Sequence, residues 1–287
     1  VTYICPAGMT LLEDQLTKIC ENAAAHRAKE TTGAEVVGAH LEGPFLGYAK
    51  RGAQAADNLH KPDVALFDRL NAASGGMVKL VTVACEEEGG MDFIANVSKK
   101  ATVSLGHTSA TYDQAMEAYS RGASHATHLY NGMDGLHHRK PGIIAAAMDA
   151  GATAELICDG LHIHPAAIRL AAKLYGDKLC LVSDSLRCAG MPDGDYELGG
   201  QPITLSGGVA RLTGTDTLAG SAISMLDALR NERVVVITKD NNRHLGVLQS
   251  NDGEINTVVI SLTDGQEETF HYSRIAEVWG LGRVIRY

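Results

Sequence analysis

Apolar and polar positions along the chain follow two alternating periods. Short apolar runs rich in β-branched residues occur at Thr2–Cys5, Ala34–Leu41, Val78–Ala84, Ala101–Gly106, Ala154–Cys158 and Lys178–Ser183, and each reads as a strand. Between them, apolar residues recur at helical spacing over Thr10–Thr31, Pro62–Ala73, Met91–Lys99, Thr111–Arg121, Gly142–Ala150 and Pro165–Tyr175. Counting a further short strand that ends at His128, the pattern is seven strands in a βα repeat. One strand more would complete a (β/α)₈ barrel of the TIM type, whose active site is built at the carboxyl ends of its strands.

The pattern changes after Asn231. Glu232–Tyr287 reads as five short strands, Arg233–Thr238, His244–Gln249, Thr257–Leu262, Glu268–Tyr272 and Ile275–Val278. Turn signals separate them at Asp240-Asn241-Asn242, Asp252-Gly253 and Asp264-Gly265. Val258, Ile260 and Leu262 alternate as on a half-buried strand. The expected organisation is therefore a barrel over residues 1–231 and a small all-β, barrel-like module over 232–287, weakly similar to SH3-like or Sm-like modules. In that module acids outnumber bases, which argues for a structural or interaction role and against an RNA-binding surface.

Composition narrows the classes. A chain of 287 residues can bury one large core with a small appendage. A net charge of −9 disfavours nucleic acid and anionic membranes as partners. No apolar run is long enough to span a bilayer, and the chain opens at Val1 without an initiator Met, so the expectation is a soluble protein whose start is missing. Six cysteines with no Cys-x-x-Cys pair, mostly in apolar strands, suit buried thiols in a reducing cytoplasm.

Polar residues fall where the predicted strands end: Glu42, Glu86, His107, His128, Asp159 and Asp184. Gly106–Asn131 holds His107 and His128 in one strand–helix–strand unit, so a parallel pairing brings both imidazoles to the same side of the sheet. Gly43-Pro44 turns the chain directly after Glu42 and leaves that carboxylate at its strand end. One carboxylate and two imidazoles make three ligands with a position open for water, the arrangement of a catalytic divalent site, and zinc suits these donors. Such an ion polarises a carbonyl and lowers the pKa of water. A neighbouring acid–base group is also needed, and Asp184 ends a strand in the right place for it. Glu86 opens the run Glu86-Glu87-Glu88 and reads as solvated surface, and Asp159 before Gly160 reads equally as a turn residue. His40 is expected either to pack and hydrogen-bond or to bind the ion, and His125 to pack.

Six motifs carry a resemblance: His40-Leu41-Glu42-Gly43-Pro44-Phe45, Gly106-His107-Thr108, Thr127-His128-Leu129-Tyr130-Asn131, Asp159-Gly160-Leu161-His162, Ser183-Asp184-Ser185 and Thr217-Leu218-Ala219-Gly220-Ser221. In this order over about residues 1–231, they resemble the N-acetylglucosamine-6-phosphate deacetylases of the amidohydrolase superfamily. The resemblance implies hydrolysis of an acetamide on a sugar phosphate, one divalent ion on Glu42, His107 and His128, and Asp184 as general base and acid. It further implies that Asn131, the backbone of Gly132, Arg139 and His162 surround the sugar phosphate, and that the enzyme is a homodimer. Arg139 offers a planar fork suited to phosphate oxygens.

Two stretches depart from the family. The amino-terminal β segment and the first barrel strand, which often carries a His-x-His pair, are not found, so the barrel is expected to lack its first strand and any second metal its ligands. The tail replaces the family's closing helix with the β-rich run. Two other readings stay open, an amidohydrolase acting on a different amide and a non-catalytic fragment or fusion used for binding.

Overall fold

The computed structural model describes residues 3–27, 33–225, 228, 233–239, 243–252, 257–261, 266–271, 275–280 and 283–286, the carboxy-terminal strands chiefly through their backbone. The chain divides into two compact units. One comprises Val1–Ala154, Asp195–Thr204 and Arg211–Ala219, the other Glu155–Gly194, Leu205–Ala210 and Gly220–Tyr287.

A seven-stranded sheet is the framework. It takes β2 (Ala7–Gly8), β4 (Ala39–Glu42), β5 (Val78–Val83), β6 (Thr102–Leu105), β7 (His125–Ala126), β8 (Thr153–Ile157) and β9 (Leu179–Val182) in chain order. Pairing is parallel from β2 through β8. This is a half-barrel of the TIM type, as the strand count anticipates. Its first member is not the predicted Thr2–Cys5 strand, however. β1 (Tyr3–Ile4) pairs instead with β3 (Glu35–Val36). Pro6, which has no N–H to give a ladder, separates β1 from β2, and its carbonyl accepts from His40 N at 3.0 Å. The predicted Ala34–Leu41 run is also broken, at Val37-Gly38, into β3 and β4.

Helices cross between successive strands: α1 (Glu13–Arg27), α2 (Val64–Ala73), α3 (Gly90–Val97), α4 (Tyr112–Ser120), α5 (Gly142–Asp149) and α6 (Pro165–Tyr175). Local chemistry sets their starts. Asp63 accepts from Ala65 N ahead of α2, and Thr111 with Gln114 forms a reciprocal capping box ahead of α4. Pro165 occupies the first turn of α6, where its missing N–H is no loss. Each helix then buries one apolar face: Leu66, Phe67 and Leu70 of α2, Phe93, Ile94 and Val97 of α3, Ala115, Ala118 and Tyr119 of α4. Phe93 lies 4.7 Å from Phe45 and 6.1 Å from Phe67 between ring centroids, an aromatic cluster under the strand that ends at Glu42.

Residues 194–220 form a sheet that the periodicity does not announce, β10 (Gly194–Leu198), β11 (Gln201–Ser206), β12 (Val209–Leu212) and β13 (Leu218–Gly220), adjacent in chain order. Its signal is chemical: Gly199-Gly200 and Gly207-Gly208 both take positive φ (56°, 84° and 56°, 78°), as two-residue hairpin turns require.

Among the described residues the tail holds six strands rather than five: β14 (Arg233–Thr238), β15 (Arg243–Asp252), β16 (Thr257–Ser261), β17 (Glu267–His271), β18 (Ile275–Gly280) and β19 (Arg283–Arg286). They pair antiparallel in the order β17-β16-β15-β14-β18-β19, and Ile260 and Phe270 are buried. Thr2, the last residues of the helix expected to reach Thr31, Asn231 and Glu232 at the expected domain boundary, and Asp240, Asn241, Asn242, Gly253, Leu262, Asp264, Gly265 and Tyr272 of the expected strands and turns lie outside the described residues.

Candidate metal centre

Glu42 ends β4, His107 lies two residues beyond β6, and His128 lies two beyond β7. Parallel pairing brings these strand ends together, and one donor atom from each side chain falls within 4.8 Å of the other two. The Nε2 atoms of His107 and His128 are 2.9 and 3.0 Å from Glu42 Oε1 and 3.1 Å from one another. All three residues are buried. Burial pushes the Glu42 carboxyl up, but the charge of His128 and the close approach of both imidazoles outweigh it and hold the group well below the usual carboxylate range.

The backbone at these positions is unusual. His107, His128 and Asp184 take φ of 48°, 28° and 48°, and Tyr130 takes 76°, all in the left-handed region that side chains disfavour. Left-handed residues cost about 1–2 kcal/mol each, and such strain clusters at functional sites. It also explains why β7 stops at Ala126 instead of running to His128.

His107 is held on every side. Its Nδ1–H donates to the carbonyl of Lys50 at 2.7 Å, which leaves Nε2 with its lone pair towards Glu42. Its own carbonyl accepts from Gly47 N at 2.8 Å. Gly132 packs on the imidazole so closely that a Cβ there would sit 2.9 Å from Nδ1. Lys50 also pairs with Asp134 at 2.5 Å, tying the two loops that flank the ring.

Glu86 is not solvated surface. It is half-buried and accepts from the Thr108 hydroxyl and from Ser109 N, clamping the residues that follow His107. The run of three acids hides this, because only the first faces the strand end. Lys50 and Glu86 are the supporting residues that the motifs leave out, since a backbone carbonyl carries no sequence signal.

The remaining expected residues have local partners of their own. Asn131 folds back on its own loop, its amide donating to the carbonyls of His128 and Leu129. Arg139 is exposed and contacts His138 Nε2 at 2.5 Å. In the other unit, Asp159 accepts from Leu161 N and His162 N through Oδ1 and from His162 Nδ1 through Oδ2 at 2.6 Å. Burial raises the Asp159 pKa, but these hydrogen bonds prevail and hold it at about 2. Asp184 follows β9. Its carbonyl accepts from Ser221 N, Leu186 N donates to the Ser221 carbonyl, and the Ser221 hydroxyl donates to the Ser183 carbonyl. The Ser183-Asp184-Ser185 motif is thus stitched to the end of the Thr217–Ser221 motif.

The pattern of the amidohydrolase family matches residues 5–249. The chain belongs to the amidohydrolase family. Members of this family generally bind a divalent metal, and the Glu42–His107–His128 cluster is where this amidohydrolase can hold one. Among curated relatives, N-acetylglucosamine-6-phosphate deacetylase of Bacillus subtilis (strain 168) is 42% identical over 238 residues, 81% of this chain and 60% of that protein. N-acetylgalactosamine-6-phosphate deacetylase of Escherichia coli O157:H7 is 40% identical over 201 residues, 69% of this chain and 53% of that protein. A solved structure of a mutant of N-acetyl-D-glucosamine-6-phosphate deacetylase from Mycobacterium smegmatis, in complex with N-acetyl-D-glucosamine-6-phosphate, aligns with a TM-score of 0.76 at 28% identity, covering all of this chain and 77% of that one. The chain therefore spans between half and two-thirds of the length of these curated relatives.

Proposed function

We propose that this amidohydrolase removes the acetyl group from N-acetylglucosamine 6-phosphate, giving glucosamine 6-phosphate and acetate. The observation that carries this is the convergence of Glu42, His107 and His128 in a chain whose relatives are named for that reaction. Donors around a tetrahedral ion with bonds of about 2.0–2.1 Å lie about 3.3 Å apart. The three here lie 2.9–3.1 Å apart, and with Nδ1 of His107 committed to Lys50, two lone pairs face each other unless a proton or a cation lies between. The residues fit an ion, and zinc suits two imidazoles and one carboxylate. When bound, it supplies Lewis acidity towards the acetamide carbonyl and towards water.

The chain's own groups supply the rest. Asp184 takes a proton from the attacking water, which forms its bond to the carbonyl carbon, and returns it to the nitrogen as the C–N bond breaks. Acetate and the amine are released. Arg139 gives a planar pair of donors to the phosphate, His162 donates through the ring nitrogen left over by Asp159, and Asn131 with the Gly132 N–H completes the cradle. We further propose a homodimer in a reducing cytoplasm. All six cysteines are thiols, and burial pushes Cys20 and Cys85 up to about 11 and about 12. Among the described residues no helix is long and apolar enough to cross a membrane. A barrel over 1–231 and a β module over 232–287 remain the proposed organisation, which the six-stranded tail sheet supports.

Replacing Arg139 by Ala tests the phosphate cradle. KM should rise at least about tenfold for the phosphorylated sugar, the scale of one charge-assisted hydrogen bond, and hardly change for free N-acetylglucosamine. An equal rise on both substrates contradicts the assignment. One relative is named for N-acetylgalactosamine 6-phosphate, the 4-epimer, and a comparison of this chain's kcat/KM on the two epimers decides between them.

A further inference from the structure

One step below the donors along the same strands runs a continuous buried chain of side-chain hydrogen bonds. His40 Nε2 meets Thr82 Oγ1 at 2.7 Å, Thr82 Oγ1 meets Thr127 Oγ1 at 2.8 Å, Thr127 Oγ1 meets Ser104 Oγ at 2.6 Å, and Ser104 Oγ meets His125 Nδ1 at 3.1 Å. All five residues are at least nine-tenths buried, the three hydroxyl residues no more than 1% exposed.

The chain has a direction set by counting protons. Four hydrogen bonds need four protons, and three hydroxyls provide three. The fourth comes from one imidazole, so the other accepts. Burial keeps the His125 ring neutral, pushing it down to about 4, and near pH 8 an imidazole is neutral at its ordinary pKa as well. Either His40 donates through Nε2 and His125 accepts at Nδ1, or the reverse. In both cases the rings carry the same tautomer.

Each donor strand end touches this chain. His40 precedes Glu42 on β4, and Thr127 precedes His128. Gly106, which precedes His107, packs on it so closely that a Cβ would lie 2.8 Å from Thr127 Cβ and 2.9 Å from Thr82 Cγ2. We propose that the His40–Thr82–Thr127–Ser104–His125 chain is a positioning layer that fixes the spacing of Glu42, His107 and His128, with Thr127 as its central positioning residue. This rests on the metal reading of those three residues. The physical reason is that a saturated buried network tolerates one arrangement, because any slip of a strand leaves a hydroxyl without its partner in a dry interior.

The test is zinc affinity, measured on the full chain by competition with a chromogenic chelator, together with the melting temperature of the metal-free protein. Thr127→Val keeps the shape and removes the hydroxyl, and the zinc dissociation constant should rise about 10–100-fold, as losses around metal ligands do. Thr127→Ser should bind zinc as the parent does. Ser104→Ala, cut further from the donors, should weaken zinc in the same direction, and serves if Thr127→Val does not fold. Nitrogen NMR of the metal-free parent near pH 8 should find matching tautomers at His40 and His125. A parent that binds zinc with variants that bind equally well, whatever their melting temperatures, overturns the positioning role alone. Unlike tautomers in the parent also overturn it, because the continuous chain is then absent. A parent that binds no divalent ion removes the metal reading and this role with it.

Discussion

At the scale of single residues, the centre depends on close approach and on a backbone that most residues avoid. Gly132 has φ of 58° and leaves no room for a Cβ beside His107 Nδ1. Gly132→Ala should therefore displace the imidazole or its loop. The expected result is at least a tenfold loss of zinc affinity, the scale for disturbing a ligand's support, read by chelator competition. Asp184 gives a cleaner chemical test because Asn tolerates its left-handed φ of 48° well. Asp184→Asn should thus keep the backbone and lower kcat by about 10² or more, with zinc content per chain unchanged by atomic absorption. Unaltered turnover would remove Asp184 from the mechanism. The donors were legible in sequence because their chemistry is in their side chains. Lys50 was not, since it contributes a carbonyl, and Glu86 was masked by the two acids beside it.

Elements carry the site by their register. Helices and sheet strands were readable from period and capping, as at Asp63, Thr111 and Pro165, because each buries one apolar face. What periodicity missed was set by other causes. Pro6 cuts the first strand and shifts the sheet's first member to Ala7–Gly8, and glycine pairs rather than alternation build the hairpins of residues 194–212. Burial of β7 makes a prediction at this scale. His125 is neutral in the fold, its pKa pushed down to about 4, against about 6.5 unfolded. The unfolded chain then binds the extra proton below pH 6.5, so stability should fall as the pH drops from about 6.5 towards about 4, by about 1.4 kcal/mol per pH unit. Denaturant melts across this window should have a shallower pH slope in His125→Asn. An unchanged slope would show that His125 is not the group responsible.

For the whole molecule, the proposed activity is deacetylation of an amino-sugar phosphate at three donors that converge on one half-barrel. The Glu42, His107 and His128 motifs lead to this because they lie at strand ends of one parallel sheet, while in the tail the pairing of β14 with β18 joins non-consecutive strands and has no local pattern to announce it. The most direct measurement is acetate release from N-acetylglucosamine 6-phosphate by the purified chain, before and after metal removal by a chelator. The account predicts release that stops when the metal is removed and returns on adding about one equivalent of zinc per chain. No release from the zinc-loaded chain, or release that persists after chelation, would contradict it.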